Sequence, residues 1–319
     1  MKKLFENWNK FVNEGSKDLE QWMDATLDTL STPPISDLDP AALPDIVAGL
    51  DDGKPNDDKS IKFDLQGDAS FADLKASQNE VGMAQSLRNT MAGVNGMEWD
   101  GIDWGDPEWL VGAMGQKEYI FKFKSPIVIA NTNDGAVVLD GHHRWSQATM
   151  INPTGKINVV GFTAPVSADD MLQALHLGIY AVAGQAKTKK AKGGNLFQAS
   201  AQDIKGYMDA SKRKVNPQTL KEDPNGVAPY VAAFMKVNNI SDVEKGTIGA
   251  IKYALSAIKT MSQRIVAGAP SREKMPQTDV SVNPKADPVA VANALKTGDV
   301  NYADPIKPGA DGSAKKAAE

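Results

Sequence analysis

The 319-residue chain contains no cysteine and only three histidines, and no apolar run approaches the length of a membrane span. Without cysteine the protein has no disulfide bond, no thiolate nucleophile and no cysteine-ligated zinc site. The net charge of −5 excludes a global basic excess, so any contact with nucleic acid has to come from a local patch. Residues 1–14 lack the continuous apolar core of a secretory signal. We therefore expect a cytoplasmic protein with no membrane partner.

Composition and periodicity divide the chain into six segments. They are a pair of amphipathic helices (1–30), a Pro- and Asp-rich linker (31–57), an α/β domain (58–186), a basic glycine-containing loop (187–194), a helical region (195–266) and an extended or disordered tail (267–319). The N-terminal helices either pack on the body of the protein or dock a protein partner. The helical region either forms a small bundle or covers the α/β domain.

Local patterns predict the secondary structure of the α/β domain. We expect strands at 61–65, 119–123 and 157–162, a helical turn at 71–76, a helix through Leu87 and Met91, and a long connection over 93–109. From residue 195 to 266 the pattern is helical throughout. Ser241 and Glu244 have the spacing of a capping box before the last helix.

The most informative stretch lies between residues 126 and 148. Two short β-branched runs, at 127–130 and 136–139, flank an Asn-Asp-Gly turn, and this arrangement predicts a β-hairpin. The second strand ends at Asp140 and Gly141, after which apolar residues recur at helical spacing. The sequence therefore predicts a strand that passes directly into a helix.

Five consecutive residues, Asp140, Gly141, His142, His143 and Arg144, occupy the point where this strand meets the helix. Exposed amides and the positive end of the helix dipole favour an anion there. Gly141 lets the backbone turn sharply and approach a ligand, and Arg144 offers a planar fork for a phosphate. Asp140 could hold a metal, orient a histidine or receive a proton. The structural alternative is that Asp140 caps the helix, one histidine packs and Arg144 pairs with a surface carboxylate.

The basic loop carries the densest positive charge of the chain. Its lysines are Lys187, Lys189, Lys190 and Lys192. These side chains could bind the phosphates of a nucleic-acid backbone. A solvated linker fits the same composition.

Two ordered motifs resemble the family of ParB-like nucleases, which belongs to the ParB/sulfiredoxin superfamily. The first is Leu-Lys-Ala-Ser-Gln-Asn-Glu-Val-Gly-Met at 74–83. The second runs from Ser-Pro-Ile-Val at 125–128 through the hairpin to Leu-Asp-Gly-His-His-Arg at 139–144. The resemblance covers residues 58–165 and implies a small α/β (α+β) domain with a mixed sheet. It also implies that the strand-to-helix corner binds phosphates of a nucleotide or of DNA.

Other activities of this superfamily fit the sequence less well. Its members include nucleases, CTP-dependent partition clamps, ATP-dependent sulfinic acid reductases and free-serine kinases. The reductase chemistry is excluded because the chain has no cysteine. Gln78 stands where the kinase-like branch has a catalytic glutamate, which argues against kinase chemistry unless Glu80 substitutes. The Arg-rich motifs and the helix-turn-helix of the partition clamps are not evident.

The first functional hypothesis is an enzyme acting on phosphates, most simply a nuclease. His142 or His143 would be the general acid or base, with an ordinary pKa of about 6.5. Asp140 would ligate Mg²⁺ or Mn²⁺, or would hold a histidine in place. Glu80 would position the substrate or the metal from the opposite side of the site.

The phosphate itself would be held by a further set of residues. By resemblance this set is Gly141, Arg144, Gln78 and Ser125. The expected ligand is DNA or a nucleotide such as ATP or CTP.

The second hypothesis is a non-catalytic module that binds nucleotide or nucleic acid, or a phage internal or accessory structural protein. Residues 1–14 resemble the leaders of proteins packaged inside phage heads, which are cut after a glutamate such as Glu14. A phage origin would place the protein in the host cytoplasm or in the virion.

Overall fold

The computed structural model describes residues 62–93, 107–123, 126–165, 167–168, 171 and 191–272. The predicted N-terminal helices (1–30), the linker (31–57) and the tail from residue 273 onward lie outside the described residues. Within the described ranges no helix is both long enough and apolar enough to cross a bilayer.

A six-stranded mixed sheet forms the centre of the described chain. Its strands are β1 (Lys62–Ser70), β2 (Leu74–Ala76), β3 (Ile120–Phe121), β4 (Ile127–Thr132), β5 (Gly135–Asp140) and β6 (Lys156–Thr163). Their order is β1-β6-β4-β5-β2, and the short β3 also pairs with β6. The β1–β6 and β4–β5 pairs are antiparallel, whereas β6 runs parallel to β3 and β4, and β2 runs parallel to β5. This mixture confirms the predicted α/β class.

Six α-helices accompany the sheet in the described ranges. They are α1 (Met83–Ala92), α2 (Pro107–Gly115), α3 (His142–Ile151), α4 (Ala201–Asp209), α5 (Pro229–Val237) and α6 (Val243–Ser262), with a 3-10 helix at Leu196–Gln198. Asp242 caps α6 by accepting a hydrogen bond from the N–H of Lys245. The cap is therefore one residue later than the predicted Ser241, because the Asp242 side chain reaches the third residue of the helix.

Both faces of the central strand β4 are buried. Ile127 and Ile129 join the core shared with the helices, whereas Val128 and Ala130 are buried on the opposite face. Successive side chains of a strand point to opposite faces. The apolar run of β4 is continuous because neither face meets water.

The predicted strands form, with extended bounds for β1, β4, β5 and β6 and with β3 limited to Ile120–Phe121. The predicted helical turn at 71–76 is wrong. Leu74–Ala76 instead form β2, because they pair in parallel with residues 136–138 of β5. The connection predicted over 93–109 is also too long, since α2 begins at Pro107.

The helical region covers the α/β domain rather than forming a separate bundle. Apolar residues of α4, α5 and α6 belong to the same buried cluster as those of the sheet, α1 and α3. The hydroxyl of Tyr230 on α5 donates a 2.7 Å hydrogen bond to the carbonyl of Met150 on α3. The prediction that 195–266 is wholly helical is wrong for residues 210–228, where Val215 instead forms isolated bridges with Glu222 and Val227.

Candidate functional site

The candidate residues meet at one edge of the sheet, where the neighbouring parallel strands β2 and β5 both end. Ala76, the last residue of β2, lies opposite Val138, so Gln78 follows β2 at the edge where β5 ends in Asp140. Ser77 fixes this arrangement, because its Oγ donates a 2.6 Å hydrogen bond to the carbonyl of Val138. Ligands of α/β proteins commonly bind beyond the carboxyl ends of such strands. The two motifs singled out in the sequence therefore lie at the same edge.

Gly141 makes the turn from β5 into α3. Its φ is +93°, and a Cβ atom there would lie only 2.5 Å from Cγ2 of Ile127. The same Cβ would lie 3.0 Å from Nη2 of Arg144, so the guanidinium rests against this turn. Gly141 is also the N-cap residue of α3, and as a glycine it has no side chain with which to cap the helix. Asp140 lies one residue before the N-cap position, and its carboxylate pairs with Arg144 in the first turn of α3.

The N-termini of α1 and α3 lie side by side. Gly82, the N-cap of α1, is so close to His143 that a Cβ there would be 3.0 Å from its Nε2. One turn further along, the hydroxyls of Ser86 and Ser146 are 3.0 Å apart. Small residues at these positions allow the helices to approach closely. The positive ends of two helix dipoles therefore point toward the same edge.

The two histidines have different environments. His142 is only 5% exposed and packs edge-on against Trp145, with ring centroids 6.4 Å apart. Burial lowers the pKa of His142 to about 3, and the charges of Arg272 and His143 act in the same direction. Within the described residues its Nε2 has no hydrogen-bond partner. His143 is half-buried and lies against Gly82.

The ordinary pKa expected for both histidines is therefore not found at His142, because burial disfavours its charged form. His142 is neutral at physiological pH and holds no proton to give as a general acid. One histidine does pack, as the structural alternative expects. His143 is left as the acid–base candidate.

Arg144 and Asp140 form an ion pair with 2.9 Å between Nη2 and Oδ2, and their side chains are 14% and 20% exposed. Arg144 thus pairs with a carboxylate, as the structural alternative expects, and this carboxylate is Asp140 itself. The contact fixes the orientation of the guanidinium over Gly141. A guanidinium has five N–H donors in a fixed plane, a geometry that matches both carboxylates and phosphates.

Arg272 belongs to the same site, although sequence reasoning placed it in the tail. Its backbone N–H donates a 3.1 Å hydrogen bond to Oε2 of Glu80, in the loop between β2 and α1. Its charge contributes to the lowered pKa of His142. No local pattern marks Arg272, because it reaches the site through contacts with residues almost 200 positions earlier in the chain.

Part of the basic loop also reaches this edge. The carbonyls of Lys192 and Gly194 accept hydrogen bonds from the N–H groups of Ala84 and Met83, so they satisfy the first turn of α1. The side chain of Lys192 is exposed beside that turn. The other predicted contacts, Lys187, Lys189, Lys190 and Ser125, lie outside the described residues.

Asn195 holds this loop in place and was not anticipated from the sequence. Its Oδ1 accepts from the N–H groups of Val81 and Phe197, and its Nδ2 donates to the carbonyl of Asn79. Asn-Leu-Phe carries no distinctive sequence signal. The interaction depends on the loop before α1, which is over 100 residues earlier.

The residues at this edge do not fit a resident Mg²⁺ or Mn²⁺ ion. In the described ranges no group of three or more His, Cys, Asp and Glu side chains is placed to hold a metal. Asp140, the predicted ligand, faces the guanidinium of Arg144, and Glu80 accepts the N–H of Arg272. Both carboxylates of this edge are therefore already engaged, and a cation beside Asp140 would meet the guanidinium of Arg144. We assign no chemistry to a bound metal.

Compared with family models, curated proteins and solved structures, the chain gives no significant match. The resemblance to ParB-like nucleases therefore depends on the two motifs around Gln78 and Asp140, and it stays a prediction.

Proposed function

We propose that this edge is a corner that binds a phosphate group of a nucleotide or nucleic acid. The corner consists of Gln78, residues 140–144, Arg272 and the N-terminus of α3. The observation that carries the proposal is the position of Arg144, whose guanidinium is fixed against the glycine turn that opens α3. The resemblance to ParB-like nucleases points to the same class of ligand.

The arrangement explains why an anion would be favoured despite Asp140. Asp140 offsets the charge of Arg144, and Glu80 lies beside Arg272, so the remaining positive potential comes from the N-terminus of α3. Lys192 at the exposed side of α1 would add a contact to a longer polyanion such as DNA. A polynucleotide is therefore expected to bind more tightly than a mononucleotide, and with a stronger dependence on salt.

Hydrolysis of a phosphodiester is a second candidate function, and the position of His143 favours it. Its Nε2 lies against Gly82, between the two helix N-termini. His143 would take a proton from water as the water oxygen attacks phosphorus. The bond to one ester oxygen would then break, and the proton would pass to that leaving oxygen. Arg144 would stabilise the charge on the phosphate oxygens.

Two substitutions separate phosphate binding from a purely structural ion pair. Arg144→Gln removes a hydrogen-bond donor to the phosphate. We therefore expect the affinity for ATP, CTP or a single-stranded oligonucleotide, measured by calorimetry, to fall about tenfold or more. Asp140→Asn removes the competing carboxylate and keeps Arg144, so affinity should be unchanged or higher. Lys252→Gln, an exposed charge change in the middle of α6, is the matched control. Equal losses of affinity in the Arg144 and Asp140 variants would contradict the proposal.

Turnover is tested separately, by following oligonucleotide cleavage with and without added Mg²⁺. Cleavage that disappears in His143→Gln while binding persists would support the nuclease. Binding without cleavage would leave a non-catalytic module. Absence of both would favour a structural role, such as that of a phage accessory protein.

A further inference from the structure

The outer side of α6 carries a row of lysines. They stand seven residues apart, or about two helical turns, and they are Lys245, Lys252 and Lys259. All three side chains are exposed, and among the described residues none of them forms an ion pair. Lysines of the neighbouring helices α4 and α5 do have carboxylate partners, in the pairs Lys205–Asp209 and Lys236–Glu108.

An apolar strip runs beside this row. Ile248, Ile251 and Leu255 follow one another at intervals of three and four residues, so they lie on one side of the helix. Ile248 is 46% exposed and is one of three large hydrophobic side chains that are exposed in the described ranges. Ile251 and Leu255 are half-buried and pack against the core with part of their surface. The lysine row and the apolar strip are together called the basic face of α6.

A complementary pattern occurs at residues 16–30, which lie outside the described residues. Their sequence has the apolar period of an amphipathic helix, carried by Leu19, Trp22, Met23, Leu27 and Leu30. Beside these apolar positions, carboxylates recur every four residues at Glu20, Asp24 and Asp28. The segment contains a fourth carboxylate, Asp18, and one lysine, Lys17. Its charge is therefore opposite in sign to that of the basic face.

The two patterns also match in length. Lys252 and Lys259 are about 10.5 Å apart along the axis of α6, and Glu20 and Asp28 would be about 12 Å apart along a helix. The flexible four-carbon stem of lysine covers the difference. In each pattern the charges flank an apolar strip on one side. Two such helices can therefore bury their strips against each other and bring the opposite charges together.

The connection between the segment and the sheet is long enough for this contact. Residues 31–61 separate the segment from β1, which begins at Lys62. A chain of that length spans up to about 100 Å when extended, whereas α6 is about 30 Å long. A tether of this kind holds the segment at a high effective concentration near its own α6. This favours the protein's own segment over a separate partner.

We propose that residues 16–30 dock as an acidic amphipathic helix on the basic face of α6 of the same molecule. Docking covers Ile248 and gives the lysine row its carboxylate partners. The proposal assigns this part of the N-terminal region to the body of the protein and not to a partner protein. It is independent of phosphate binding at the corner.

The first test is zero-length crosslinking of the full chain with a carbodiimide, which joins a carboxylate to an amine only where the two are in contact. Mass spectrometry should find links from Glu20, Asp24 or Asp28 to the lysines of the basic face. High salt should reduce them. Lys221, an exposed lysine outside the helices, is the internal control and should give no link to residues 16–30.

A mixture of ¹⁴N- and ¹⁵N-labelled protein identifies the molecule that supplies the segment. Links within one isotopic population support docking on the same molecule. Links between the two populations would show that the segment docks on a second copy, and they would overturn the proposal. An absence of links would also overturn it and would leave the basic face to solvent or to another partner.

Hydrogen exchange gives an independent readout. The amides of residues 19–30 should be protected in the wild type and should exchange at least about tenfold faster in Ile248→Glu. The matched control is Val243→Glu, because Val243 is 44% exposed on the same helix but lies about 140° around it from Ile248. This control should keep the protection. Equal exchange in the wild type and in Ile248→Glu would contradict the proposal.

Charge reversal tests the lysine row separately from the apolar strip. Lys252→Glu combined with Lys259→Glu should speed exchange of residues 19–30, because like charges then face each other. Adding Asp24→Lys and Asp28→Lys should restore the protection. The amides of α6 should stay protected in every variant, which shows that the helix itself is intact. Reversal of the lysines without any effect on residues 19–30 would exclude the charged contact.

Discussion

The two adjacent histidines at the start of α3 lie in different environments. Consecutive residues of a helix point about 100° apart, so His142 turns into the core against Trp145 while His143 faces Gly82. The sequence places both histidines in the first helical turn, but it does not show which of them faces the core. That information comes from the packing of α1 against α3.

Burial of His142 makes stability depend on pH. Its folded pKa is about 3, below the ordinary 6.5, so between these values the unfolded chain binds more protons and stability falls with falling pH. We expect urea unfolding at pH 5 to show a free energy of unfolding about 2 kcal/mol lower than at pH 7 from this group. His142→Leu should lose this component. His143→Leu, the neighbouring control, should keep it, and identical pH profiles for wild type and His142→Leu would contradict the assignment.

Gly141 is required by the turn, not by helix propensity. Alanine at φ +93° is strained, and its Cβ would lie 2.5 Å from Cγ2 of Ile127. We expect Gly141→Ala to lower the free energy of unfolding by about 2–4 kcal/mol in urea titrations. Gly112 in α2 has nothing within 4 Å of the corresponding Cβ position, so Gly112→Ala should be neutral or stabilising. Similar losses in both variants would show that the turn is not the cause.

At the scale of secondary-structure elements, the sequence predicts best those strands and helices that local periodicity determines. The hairpin of β4 and β5 and the start of α3 follow from an Asn-Asp-Gly turn between β-branched runs. β2 could not be predicted in this way, because three residues are too few to show a period. Leu74–Ala76 become a strand only through the parallel partner β5. The pairing of residues 264–266 with Ala76 is missed for the same reason, since its partner is β2.

The residues of the candidate site likewise divide into those that a local sequence pattern marks and those that reach the site through distant contacts. Asp140, His143 and Arg144 are neighbours in sequence, and the glycine between strand and helix identifies their region. Arg272 reaches it through a hydrogen bond to the distant Glu80 carboxylate, and Asn195 through distant backbone groups. A single sequence contains no signal for such contacts.

Asn195 connects the basic loop to the loop before α1, and this connection can be tested. Asn195→Ala removes hydrogen bonds to Val81, Phe197 and Asn79, so we expect a loss of about 2 kcal/mol in the free energy of unfolding. Because the same loop presents Lys192, the variant should also bind an oligonucleotide more weakly than wild type. Asn225→Ala, at an exposed turn, is the control and should change neither quantity appreciably. An unchanged Asn195→Ala variant would mean that the loop is held by its backbone contacts alone.

At the scale of the whole molecule, the described part of the chain has a main core that joins two regions which the sequence separates. Helices α4, α5 and α6 share buried apolar residues with the sheet and with α1 and α3. A core of this kind predicts joint unfolding, since neither region can lose its packing without exposing the other. Residues 264–266 add a second connection, because they follow α6 and pair with Ala76 of β2.

Tyr230 tests whether the two regions unfold together. It is completely buried on α5, and its hydroxyl donates to the carbonyl of Met150 near the end of α3. Burial raises the pKa of Tyr230 well above its ordinary value, so the hydroxyl remains a donor throughout the neutral range. We expect Tyr230→Phe to lower the free energy of unfolding by about 1–2 kcal/mol, because the carbonyl loses a buried partner. The unfolding transitions followed by circular dichroism and by tryptophan fluorescence should shift together to the same lower midpoint.

Tyr253→Phe removes a longer, 3.2 Å contact to Ile151 and should have a smaller effect. Two separated transitions in either variant would show that the helices and the sheet are independent units, despite the core they share.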